Sequence, residues 1–119
     1  MSWKNFLKSF TYSLKTKSML LYNITIGVDA QIEKEWKEWM KTSLIPQVMQ
    51  TGLFRDYKFY KVLTHDDPAS VSYCVQYFVD SIDQFNQYLE HHAKGFLEQQ
   101  RQRYPDRHAA FQTLLEEID

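Results

Sequence analysis

Ser70-Val71-Ser72-Tyr73-Cys74-Val75-Gln76-Tyr77-Phe78-Val79-Asp80 is the stretch whose reading decides the fold. Val71, Tyr73, Val75, Tyr77 and Val79 are β-branched or aromatic, whereas Ser72, Cys74 and Gln76 between them are small or polar. That period of two is the pattern of a strand with one buried face. Ser81-Ile82-Asp83-Gln84 follows at once and fits a capping box: the serine oxygen accepts from the Gln84 N–H, and the Gln84 side chain reaches back to the serine N–H. A central strand therefore runs straight into a helix.

Toward the N-terminus, residues 19–28 alternate in the same way, with Tyr22, Ile24, Ile26 and Val28 on one side and Leu21, Asn23, Thr25 and Gly27 on the other. Asp29 is placed as an N-cap, and Ile32, Trp36, Trp39 and Met40 then recur at helical spacing beside the charged Glu33, Lys34, Lys37 and Lys41. Pro46 predicts a break at residues 43–45 and a short helical turn that ends at Gly52. A second strand is expected over residues 55–63, where Arg55, Lys58 and Lys61 suit a sheet edge. The Asp66-Asp67-Pro68 turn then returns the chain to the opening stretch as a hairpin.

Beyond Ser81, a second helix buries Ile82, Phe85, Leu89, His92 and Phe96, is loosened at Gly95 and ends before Pro105. A weaker alternation at residues 110–115 supplies a last strand. The order β-α-β-β-α-β with right-handed crossovers is an α+β, ferredoxin-like chain: a four-stranded antiparallel sheet with both helices on one face and strands one and three central. The other face carries Leu21, Thr25, Cys74 and Phe78, which are too apolar for open water. Those four residues are the expected interface of a homodimer.

The chain of 119 residues is long enough for one domain with its own core. Aromatic residues make up 16% of it, which predicts a core or interface filled by rings. Cys74 is the only cysteine, so no disulfide forms within the chain, and a reducing cytoplasm is the expected location. No apolar run is long enough for a membrane span. Residues 1–18 hold Lys4, Lys8, Lys15 and Lys17 and no acid, leaving 10 basic against 15 acidic residues from Met19 onward. So acidic a body repels phosphate backbones, which argues against nucleic acid as a partner. The first 18 residues also carry Trp3, Phe6, Leu7, Phe10 and Leu14. They lack the apolar core of a secretory signal, and a basic anchor for an anionic membrane surface is the functional alternative to a plain extension. The expectation is an extension at 1–18 outside the core and a ferredoxin-like domain at 19–119.

Leu21-Tyr22-Asn23-Ile24-Thr25, Trp36, Trp39-Met40, Ile45-Pro46, Thr51-Gly52-Leu53-Phe54, the run from Tyr73 to Phe78, and Phe111-Gln112-Thr113-Leu114-Leu115-Glu116 together resemble a family of short bacterial proteins classed as a domain of unknown function. The likeness spans Met19 to about Ile118 and implies a dimeric α+β barrel type of ferredoxin-like fold, with no assigned activity. The family pattern has a histidine before the Ile-Pro pair and an arginine after the late phenylalanine. This chain has Leu44 and Gln112 there, so chemistry at those positions does not carry over.

His91 and His92 are adjacent on the second helix, about 100° apart, and cannot share a metal as an i, i+4 pair does. With His65 in a turn and His108 near the last strand, no zinc spacing emerges, and neither metal nor cofactor is expected. His92 faces inward, either as a hydrogen-bonded core residue or as an acid, base or haem ligand in a cavity. Asn23 is unusual in mid-strand and needs partners for its amide, from a ligand, water or a second chain. Tyr60, Tyr73 and Tyr77 offer phenols. Asn23, Tyr60, Tyr73 and His92 are therefore the candidate residues for a small-molecule ligand.

Three classes of function follow. A non-catalytic homodimeric ligand-binding or interaction module leads, because no nucleophile-base pair, glycine-rich loop or paired-carboxylate motif is visible. A small oxygenase or isomerase acting on an aromatic or haem-like ligand is the alternative. RNA recognition shares the element order, but the third strand lacks the basic start of that motif. On this reading, a chain beginning at Met19 should melt within a few degrees of the full chain; a large drop in melting temperature would refute the extension.

Overall fold

The computed structural model describes residues 19–118 of the chain, so the expected extension at residues 1–18 lies outside the described residues. Leu20–Asp29 forms β1, and its buried side holds Leu20, Tyr22, Ile26 and Val28. Ser70–Val79 forms β3, antiparallel to β1, with Tyr73, Val75, Tyr77 and Val79 buried on the same side. The two long alternating segments are thus neighbours at the centre of the sheet. Asp56–Lys61 forms β2 against the outer edge of β3, and His108–Glu116 forms β4 against β1. The strand order is β2-β3-β1-β4, all antiparallel.

This is the α+β ferredoxin-like topology, and it corrects the expectation of a barrel type. The sheet is open: β2 and β4 are its two edges and do not pair with each other. Closure gives every strand two neighbours and commonly takes about eight strands to leave room for a filled interior, and four strands with two free edges do not reach it. The lysines Lys58 and Lys61 on β2 lie on one of these edges, where charge discourages further strand pairing.

Two helical segments cover one face of the sheet. The first, α1 (residues 30–50), starts on a short 3-10 turn, Ala30–Ile32, whose N-cap Asp29 accepts from the Gln31 N–H at 2.9 Å. Glu33–Trp39 is α-helical, Met40–Leu44 widens into a π turn, and Ile45–Gln50 is α-helical again. The break expected before Pro46 is therefore absorbed rather than made. A proline has no N–H to give and crowds the preceding turn; the wide turn, closed by the Ile45 N–H on the Met40 carbonyl, lets the helix continue through it. The helix stops at Gly52, whose φ of 75° is the left-handed conformation glycine tolerates, with its N–H bonded to the Met49 carbonyl at 3.1 Å.

The second segment, α2 (residues 82–103), has the same construction, with a π turn at Leu89–Ala93 between Ile82–Tyr88 and Lys94–Arg103. Ser81 caps it, accepting from the Gln84 N–H at 3.1 Å. The return half of the expected capping box is absent: the Gln84 Oε1 is buried and has no hydrogen-bond partner among the described residues. No helix among the described residues is long and apolar enough to cross a membrane.

Between helices and sheet the core is largely aromatic. Tyr22 lies 4.9 Å from Phe85 between ring centres, and Phe54 lies 5.0 Å from Tyr77 and 4.8 Å from Tyr88. Trp36 of α1 sits 5.1 Å from Tyr73 and is fully buried. Its indole N–H donates to the Oε1 of Gln100 on α2 at 3.1 Å, and Gln100 is itself buried. This bond ties the helices together where the indole N–H would otherwise lack an acceptor. Gln100→Leu should therefore cost about 1–3 kcal/mol in chemical unfolding, and adding Trp36→Phe should cost less than the two changes summed. Additive losses would show that the bond does not couple the helices.

Candidate functional site

The sheet face away from the helices is laid out in rows, because residues directly opposite on neighbouring strands project from the same side. One row is Asp56, Phe78, Leu21 and Leu115. The next is Lys58, Gln76, Asn23 and Thr113. The third is Tyr60, Cys74, Thr25 and Phe111. Two rows rich in apolar side chains thus flank one polar row. Phe111 is 62% exposed, Tyr60 47% and Leu115 43%, while Leu21, Phe78, Thr25 and Cys74 in the middle are half-buried.

Polar atoms on this face are linked locally. The Asn23 Nδ2 donates to the Thr25 Oγ1 at 3.2 Å, and that hydroxyl lies 3.6 Å from the Cys74 sulfur. The Lys58 ammonium lies 5.9 Å from the centre of the Phe78 ring, a cation–π contact that lets the lysine stem cover part of the ring.

The four candidate ligand-binding residues do not converge. Asn23 and Tyr60 lie on the open face, one row apart. Tyr73 lies on the helix-covered face, where its hydroxyl donates to the Glu33 Oε2 at 2.6 Å. The same carboxylate oxygen receives the Lys61 ammonium at 2.8 Å. These two hydrogen bonds, the one from Lys61 first and the one from Tyr73 second, hold the Glu33 carboxyl below its ordinary pKa of 4.5. Burial and the facing carboxylate push the Tyr73 phenol well above its ordinary range. Tyr73 is accordingly a neutral donor committed to a neighbour. His92 is half-buried on α2, stacked 6.2 Å from Tyr88 and 6.4 Å from Phe96 between ring centres.

The space between helices and sheet is a cavity of about 30 Å³ lined by Tyr22, Ile24, Met40, Val75, Tyr88 and Phe96 among others. That is room for about one water molecule, against several hundred Å³ in a typical small-molecule site. The phenols of Tyr22, Tyr77 and Tyr88 around it are raised by burial, which keeps them neutral. No group of three or more His, Cys, Asp or Glu among the described residues could hold a metal ion.

Phe111 and Leu115, exposed on the open face together with Tyr60, were not among the expected interface residues. Their signal was present but inverted: β4 turns His108, Ala110, Gln112 and Glu116 toward the helix side with Leu114, and its bulkier apolar residues the other way. A strand whose outer side is the more apolar one does not read as half-buried until its neighbours are known.

A family profile described as "Domain of unknown function (DUF4286)" matches residues 19–118. The chain belongs to that family. No curated protein matches it. Among solved structures, this DUF4286 chain is similar to a conserved protein of unknown function, described as a possible oxidoreductase, from Bacteroides thetaiotaomicron VPI-5482. The identity is 14%, the TM-score 0.62, and the match covers 86% of this chain and 100% of that one. It is also similar to a protein described as of the ethyl tert-butyl ether d (EthD) family, from Bacillus halodurans C-125, with 12% identity, TM-score 0.63 and coverage of 83% and 99%. A dimeric ferredoxin-like protein from an uncultured marine organism matches with 11% identity, TM-score 0.56 and coverage of 86% and 97%. At such identities the likeness is one of fold.

The Glu33 cluster carries a pH signature. Its folded pKa lies below the unfolded value, so the stabilisation it gives is complete above that unfolded value and is lost as pH falls through the folded one. The stability difference between the wild type and Glu33→Gln should be measurable at neutral pH and vanish in acid. A difference that stays constant down to strong acid would show that Glu33 acts through packing alone.

Proposed function

We propose that this DUF4286 protein is a non-catalytic homodimeric interaction module assembled through the open face of its sheet. The observation that carries this reading is the exposure of Phe111, Tyr60 and Leu115 around the half-buried Leu21, Phe78 and Cys74 on a single face. Three strands roughly 30 Å long and a fourth, β2, of about 20 Å, set about 4.8 Å apart, present on the order of 600 Å² per chain. Doubled, that reaches about 1,200 Å², the lower limit of a stable interface. Two such sheets packed about 10 Å apart would withdraw the rings from water. One structure of similar fold is described as dimeric, which supports the same reading.

The small cavity between helices and sheet weighs against an oxygenase or isomerase acting on an aromatic or haem-like ligand, since the aromatic side chains already occupy that space. Sedimentation equilibrium tests the proposal. The wild type should be a dimer at micromolar concentration, and Phe78→Glu, which places a charge in the middle of the face, should yield a monomer with the wild-type circular dichroism. A wild-type monomer would overturn the proposal.

A further inference from the structure

Face-to-face packing of two identical sheets about a two-fold axis requires that axis to lie in the plane between them. Two orientations are simple. An axis along the strands, between β1 and β3, exchanges β1 with β3 and β2 with β4 and keeps each row over itself. An axis across the strands keeps each strand over itself and exchanges the rows on either side of it. The residues of the open face distinguish the two.

We propose that the copies meet about an axis parallel to the strands, so that Asn23 lies over the partner's Gln76 and Phe111 over the partner's Tyr60. This inference rests on the homodimer reading. In that arrangement the paired rows match chemically at each central position. Leu21 meets the partner's Phe78, Thr25 meets the partner's Cys74, and Lys58 meets the Thr113 hydroxyl of the partner subunit. The two most exposed rings, Phe111 and Tyr60, meet each other. Asp56, opposite the partner's Leu115, sits at the rim, where its carboxylate already accepts from the Tyr57 N–H at 2.8 Å.

An axis across the strands at the polar row sets Lys58 over the partner's Lys58, and like charges directly opposed are unfavourable. Shifted by half a row toward the Cys74 row, it sets the Gln76 amide on the partner's Cys74 and the Thr113 hydroxyl on the partner's Phe111; shifted the other way, it gives Lys58 the partner's Asp56 but sets the Asn23 and Gln76 amides on the partner's Leu21 and Phe78. Buried amides need partners, and Asn23 has given only one of its amide hydrogens to Thr25. Its Oδ1 and second hydrogen match the amide of a facing glutamine, twice per dimer by symmetry. The polar row is then the element that selects the register, and the apolar rows supply the attraction.

The test uses the full chain with differently tagged copies. Phe111→Glu is made in one copy and Tyr60→Lys in the other; both positions are exposed in the single chain, so folding should be kept. With the axis along the strands, a mixed dimer contains one Glu–Lys pair and one native Phe111–Tyr60 pair. It should form about tenfold or more tighter than the geometric mean of the two homodimers, measured by energy transfer between the tags. With the axis across the strands the two new charges never meet, and a mixed dimer at the geometric mean overturns the inference. Asn23→Val and Gln76→Val give an independent check. Each alone should weaken the dimer about tenfold by leaving amides unpaired, while a mixed dimer of an Asn23→Val copy with a Gln76→Val copy, which keeps one native Asn23–Gln76 pair across the axis, should form tighter than the geometric mean of the two homodimers. A mixed dimer at the geometric mean would overturn the carboxamide pairing. A wild-type monomer would instead defeat the homodimer reading itself, so the two failures are distinguishable.

Discussion

Tyr22, Phe54, Tyr77, Phe85 and Tyr88 meet beneath the two central strands, and the rest of the molecule is arranged around the need to bury them. Rings of this size bring a large apolar area, and their edges and faces must pack at offset or tilted angles. β1 and β3 supply Tyr22 and Tyr77, α2 supplies Phe85 and Tyr88, and the segment after α1 supplies Phe54. The cluster can therefore form only when both crossovers have folded back onto the same side of the sheet. Trp36 extends it along the sheet to Tyr73 and Phe59, and its bond to Gln100 satisfies the one polar atom the indole brings inside.

Filling one side so thoroughly has a consequence for the other. Both helices are spent on the ring cluster, and the opposite face keeps Leu21, Phe78, Tyr60, Phe111 and Leu115 with no element of the described residues placed to cover them. It also keeps a polar row through its middle. A face made only of hydrophobic residues would bind many surfaces in many registers. A face with a polar row admits fewer, because polar groups taken out of water need partners.

The same packing bears on catalysis. Groups that resemble a catalytic set in isolation have other tasks in the folded chain. The Tyr73 phenol holds the Glu33 carboxylate, which also anchors Lys61 at the edge strand, and the His92 ring packs beside those of Tyr88 and Phe96, which also stack on each other. Burial raises the pKa of the tyrosines near the small cavity further above its ordinary value, which removes them as sources of a phenolate.

By itself the sequence determined the local and periodic features. These are the buried sides of β1 and β3, the caps at Asp29 and Ser81, the glycine stop at Gly52 and the charged edge strand, because each depends on residues within one turn or one strand of each other. Element order and the rule of right-handed crossovers extended this to the pairing of β1 with β3. Tertiary structure alone decided the rest. Whether Pro46 breaks α1 depends on whether the helix can widen while still packed on the core, which no pattern of spacing states. That the sheet stays open follows from β2 and β4 ending as unpaired edges. That Phe111 and Leu115 join the open face follows from the register of β4 on β1, since a slip of one residue would have sent them into the core. Alternation already sets Tyr73 and Asn23, both polar groups on central strands, on opposite sides of the sheet; only the helix packed on one side gives the first its carboxylate.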